Sequence, residues 1–165
     1  MLRSLLLAAG CAILLPGCGS GGGSAPAVPK NVVFFLGDGL GITTMTAARI
    51  YKVGEDGELT IDTLPETGFV KTFSNDAQVT DSAAAMSAYM TGVKTNNDVV
   101  SMSSDTSAFD ASGNDYASGA DSTCPSDDGK AVTTLLELAR TAGLGTGVVT
   151  TTRITHATPA ATYAH

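Results

Sequence analysis

Residues 32–36, Val-Val-Phe-Phe-Leu, are apolar without interruption and stop abruptly at Gly37-Asp38-Gly39-Leu40-Gly41. A run with no polar alternation has no face to show to water, so it reads as a strand buried on both sides, as in a parallel sheet. The pattern recurs. Residues 68–73 and 147–151 are further strand candidates rich in β-branched and aromatic residues. Between them the spacing predicts helices over 43–53, 79–92 and 130–140, the second with Thr80 or Asp81 to cap its start and Gly92 to end it. Strands alternating with helices predict an α/β fold with a mostly parallel central sheet.

The first thirty residues stand apart. They hold Arg3 and Lys30 and no acid, so they carry +2, and the rest of the chain carries −9, for a net −7. A basic start, a short apolar run from Leu5 to Leu15 and then Pro16-Gly17-Cys18 predict an export signal over 1–18. The segment resembles a bacterial lipoprotein signal with Cys18 as the lipidated residue. Cys11 is a competing site, and an ordinary signal peptide is the alternative. Residues 19–30 are a Gly/Ser/Pro tether. The protein is thus expected to be exported, to the periplasm or cell surface, and to meet the membrane only through a lipid anchor. An acidic chain is poorly suited to the phosphate backbone, so no nucleic-acid partner is expected. Residues 95–129 are rich in Asp, Ser and Gly and hold no Lys or Arg, which predicts a solvated surface insertion. Cys124 is the one cysteine beyond the export segment and suggests a missing partner or a free thiol.

Three clusters could carry chemistry. Each lies after a strand or at a helix start, where ligands bind in open α/β sheets. The 37–41 turn sets the carboxylate of Asp38 among glycines. It matches no phosphate-loop pattern, and an anion beside a phosphate calls for a cation between them. In Val79-Thr80-Asp81-Ser82-Ala83-Ala84-Ala85, a hydroxyl at a helix start meets unpaired N–H groups and the positive dipole end, which favour an alkoxide and an anionic substrate. Plain capping explains the same residues. In Thr150-Thr-Thr-Arg-Ile-Thr-His-Ala-Thr-Pro-Ala160, His156 and Thr158 are two apart, so an extended chain points both to one side, where they could hold a hard cation.

Taken in order, these clusters resemble the N-terminal portion of alkaline phosphatases. The match runs from about Asn31 to His165, includes Thr91-Gly92-Val93-Lys94-Thr95, and covers only the first part of a family member. The resemblance implies a three-layer α/β/α fold, of which only the N-terminal part is present, and hydrolysis of phosphate monoesters through a phosphoserine on Ser82 in the full-length enzyme, with little or no activity expected of the 165-residue chain alone. It implies two zinc ions about 4 Å apart and one magnesium ion. Asp38 would bridge a zinc and the magnesium, Ser82 would contact that zinc, Thr158 would ligate magnesium, and His156 would tune that site. Asp81 would orient the site in support. Cys124 would be disulfide-bonded to a residue beyond His165, as would lie the second zinc site and the phosphate-gripping arginine, which Arg153 is not. A homodimer is compatible with the resemblance. The competing readings are a truncated, non-catalytic lipoprotein and a sulfatase-like metallo-hydrolase. Thr80-Asp81-Ser82-Ala83-Ala84 argues against the latter.

Overall fold

The computed structural model describes residues 31–116 and 125–165. Cys11, Cys18 and Cys124 lie outside them. Residues 31–36 belong to a first unit and Gly37–His165 form the second. The order of elements is α1 (Ile42–Val53), a 3-10 turn (Thr60–Thr63), α2 (Ser82–Thr91), α3 (Leu135–Thr141) and α4 (Ala157–Ala160).

Helix α2 is the centre of the second unit. It opens at Asp81, whose carboxylate accepts the Ala84 N–H at 2.8 Å. It closes at Gly92, which adopts φ 74° and donates to the Ala88 carbonyl, the left-handed stop that glycine makes without strain. Ala83, Ala84, Met86, Ser87 and Met90 are buried. Met86 and Met90 pack with Ala161, Val100 and Leu136, so α2 is clasped by α3, α4 and the loop before residue 101. That loop is tied down by buried hydroxyls. Ser87 Oγ accepts the Ser101 N–H at 2.7 Å, and Ser101 Oγ donates to the Ala161 carbonyl at 2.8 Å.

Helix α1 follows the 37–41 turn and is anchored at its far end. Arg49 makes a two-pronged ion pair with Asp62, whose carboxylate also accepts the Leu59 N–H at 2.8 Å. The guanidinium, with that backbone donor, holds the Asp62 carboxyl down at about 2.

Three expectations change. The runs at 31–36, 68–73 and 147–151 form no strand among the described residues. Among the described residues the only bridges are Met102 with Ala131 and Phe109 with Asp115. Phe35 and Phe69 are 89% and 87% exposed. These segments have the composition of buried strands but no neighbouring strand in the described residues, and exposed apolar surface of this extent marks a face that another element covers. Helix α3 starts at Leu135, not at residue 130. Residues 130–132 instead pair with 101–103, through Ser103 N–H to the Lys130 carbonyl and Val132 N–H to the Ser101 carbonyl. β-Branched Val132 and Thr133 favour that extended approach. The described residues of the 95–129 stretch are also less solvated than its composition predicts. Thr95, Val99, Ser101 and Thr106 are buried, whereas Asp105, Asp115 and Asp127 are exposed.

Thr134, fully buried, caps α3 through a reciprocal capping box with Glu137. Glu137 also pairs with His165 at 3.3 Å, a partner no sequence pattern pointed to. Thr134→Ala is expected to lower stability by about 1–2 kcal/mol, read from the urea midpoint. An unchanged midpoint would show that the cap contributes nothing.

Candidate active site

The 37–41 turn is tight for identifiable reasons. The Leu40 N–H closes it on the Gly37 carbonyl at 3.1 Å. A Cβ at residue 37 would fall 2.5 Å from the Leu40 side chain, and Gly39 takes φ 67°, a region that favours glycine. Asp38 therefore sits at the corner of the turn with its carboxylate projecting.

Two hydroxyls from distant parts of the chain converge on it. Ser82, the first residue of α2, donates from Oγ toward Asp38 Oδ1 and Oδ2, at 3.0 and 3.1 Å. Thr158, the second residue of α4, donates from Oγ1 to Asp38 Oδ2 at 2.6 Å. The hydrogen bond from Thr158 is the main influence holding the Asp38 carboxyl below its ordinary range. Partial desolvation opposes this, and Ser82 and the charge of His156 assist it. The sign follows: these bonds to the carboxylate are fully present above the ordinary carboxylate range and are lost as pH falls through the depressed value.

His156 is placed differently from the extended expectation. It is the N-cap of α4, with φ −62° and ψ 147°, and the chain turns helical directly after it. Pro159 permits this, because in the first turn of a helix its missing N–H leaves no bond unmade. Helical geometry, not an extended strand, brings Thr158 to Asp38. The buried Nδ1 of His156 has no hydrogen-bond partner among the described residues.

Asp81 does not face Asp38. One carboxylate oxygen caps α2 on the Ala84 N–H, and the other accepts the Asp98 N–H at 2.9 Å. It fixes the helix start and, through it, the origin of Ser82. Arg153 is exposed.

The donor set decides which metals the site suits. One carboxylate and two hydroxyls are hard oxygen ligands of the kind that magnesium-like cations take, and the orphaned imidazole nitrogen is a further donor in the same segment. Among the described residues no group of three or more His, Cys, Asp and Glu converges. A tetrahedral zinc site of nitrogen and sulfur ligands is therefore not complete within them.

Comparison with known proteins points to one family. The alkaline phosphatase family model matches residues 29–165. The chain is 43% identical over 144 residues to the human tissue-nonspecific alkaline phosphatase, which covers 84% of this chain and 25% of that protein. It is 42% identical over 142 residues to the alkaline phosphatase of Gadus morhua, covering 82% and 27%. Among solved structures it resembles the alkaline phosphatase of the Antarctic bacterium TAB5, with a TM-score of 0.57 and 30% identity over 78% of this chain and 30% of that one. A variant of the TAB5 enzyme, equally similar, was solved with Mg bound in its M3 site. The chain spans about a quarter of the length of the curated relatives it matches. A family match across 29–165, together with relatives 42–43% identical over most of the chain, shows that the chain belongs to the alkaline phosphatase family.

Proposed function

We propose that the protein hydrolyses phosphate monoesters through a phosphoserine formed on Ser82. The observation that supports this most is the convergence of two hydroxyls from separate segments on one carboxylate: Ser82 Oγ and Thr158 Oγ1 both donate to Asp38. Ser82 Oγ lies in the first turn of a ten-residue helix. There the positive helix end stabilises both its alkoxide and an incoming phosphoryl group. Asp38 holds the Ser82 proton side and orients the oxygen. Ser82 Oγ forms the bond to phosphorus as the bond to the alcohol oxygen breaks. The Ser82 hydroxyl proton is released to solvent, the departing alcohol oxygen takes up a proton from solvent, and water then cleaves the phosphoserine, restoring the Ser82 hydroxyl and releasing phosphate. Ala83 and Ala84, the small residues that follow Ser82, are buried and seat the start of the helix.

Asp38, Ser82 and Thr158 would hold divalent metal with His156 beside them. The proposed complement is two zinc ions and one magnesium ion, and when bound they supply charge to stabilise the attacking and leaving oxygens. The exposed apolar residues of the 31–36, 68–73 and 147–151 runs support a three-layer α/β/α arrangement with a mostly parallel central sheet. The basic start and the Leu15-Pro16-Gly17-Cys18 segment support export with a lipid anchor on Cys18.

The full-length enzyme of which this chain is part should hydrolyse p-nitrophenyl phosphate with zinc and magnesium. A chelator should lower that rate by about a hundredfold or more, since metal stabilisation of such a transition state is worth several kcal/mol. Readdition of both ions should restore it. Full activity in chelator would overturn the metal-dependent reading.

A further inference from the structure

The residues just before Ser82 are not part of a helix, so their position needs a separate cause. Val79, Thr80 and Asp81 are flanked by Asn97, sixteen residues beyond Asp81. The Asn97 Oδ1 accepts the Asp81 N–H at 3.1 Å, and its Nδ2 donates to the Val79 carbonyl at 3.1 Å. Both halves of the amide are used, and reversing it would oppose donor to donor and acceptor to acceptor, so the orientation is fixed.

Asn97 is itself held. Its N–H donates to Asp76 Oδ1 at 2.9 Å, and the same oxygen accepts from Ser74 Oγ at 2.9 Å. The next residue, Asp98, takes φ 64°, uncommon for a residue with a side chain. That conformation aims the Asp98 N–H at Asp81 Oδ2 at 2.9 Å. Backbone strain of this sort persists where the surroundings over-determine it, and it concentrates near functional sites. Residues 97 and 98 thus grip the 79–81 segment by its backbone and by the Asp81 side chain.

We propose that Asn97 is a positioning residue for Ser82: its amide clamps the backbone on either side of Thr80 and so fixes where α2 begins and where Ser82 Oγ points. The inference rests on the phosphoserine reading. It adds a residue that touches neither Asp38, Thr158 nor the nucleophile. Asn96 provides the matched comparison. It lies in the same loop, and its amide donates to the Thr106 carbonyl at 2.8 Å and accepts from Asn75 at 2.7 Å, away from the 79–81 segment.

The test compares Asn97→Ala with Asn96→Ala in the full-length, metal-loaded enzyme. Asn97→Ala should lower kcat for p-nitrophenyl phosphate by about a hundredfold, the scale of a reacting group misplaced by about an ångström. Inhibition by inorganic phosphate should stay within about threefold, because an atom's aim and not the anion's binding is lost. Asn96→Ala should keep kcat within about threefold of wild type. In parallel, hydrogen exchange at the Asp81 and Ala84 amides should accelerate about tenfold in Asn97→Ala only, the effect of one lost hydrogen bond. Equal losses of kcat in the two variants, or unchanged exchange at Asp81 and Ala84 in Asn97→Ala, would overturn the clamp. If wild type shows no phosphatase activity, the phosphoserine reading fails, and the exchange comparison still decides the clamp on its own.

Discussion

Ser82→Ala is expected to lose phosphomonoesterase activity by about a thousandfold or more while remaining folded. Removing the nucleophile of a covalent mechanism eliminates the intermediate altogether, and the residual rate reflects only the electrostatics of the remaining site. The fold should survive, because the Ser82 hydroxyl bonds to Asp38 and not to the helix, and alanine is a good helix former at that position. The cap of α2 comes from Asp81, which the substitution leaves in place. The measurement is kcat/KM for p-nitrophenyl phosphate beside a thermal unfolding curve. Turnover within tenfold of wild type would contradict the assignment of Ser82.

Asp38→Asn is expected to lower activity by about a hundredfold or more and to lower the content of bound divalent metal. The side chain is nearly isosteric, so the turn itself should persist with Gly37 and Gly39 unchanged. The chemistry of the site does not persist. The carboxylate accepts from Ser82 through both oxygens and from Thr158 through one of them. An amide offers one acceptor and sets an NH2 group against a hydroxyl donor. It also removes the negative charge that a hard cation requires. Metal analysis after dialysis reads this independently of turnover. A variant with wild-type metal content would show that Asp38 is not a ligand.

The parts of this site that were legible in the sequence are those determined by local chemistry. Gly37 and Gly39 around Asp38 announced a tight turn with a projecting carboxylate. Thr80-Asp81-Ser82 followed by alanines announced a capped helix start, and Gly92 its end. The remainder depends on distant partners. Val132 lies at helical spacing from Leu135 and Leu136, yet its N–H is taken by the Ser101 carbonyl, and no periodicity within the segment records that. The two-residue spacing of His156 and Thr158 predicts an extended chain, and the structure bonds Thr158 to Asp38 in another way. The chain reaches it through a helical turn that Pro159 tolerates. Asn97 was silent, because an asparagine in a polar stretch looks solvated until the backbone it grips is known. The apolar runs at 31–36, 68–73 and 147–151 show composition suited to a sheet, but pairing is a property of neighbours, and composition alone does not supply them.

The central claim is that a phosphoryl group is carried by Ser82. The direct measurement is acid quenching of the full-length enzyme during turnover of a phosphate monoester, followed by peptide mass spectrometry. A phosphoryl group on the peptide containing Ser82, located on that residue and absent from Ser82→Ala, is the predicted result. Turnover with the phosphoryl group on another residue, or with none trapped while Ser82→Ala turns over at the wild-type rate, would contradict it.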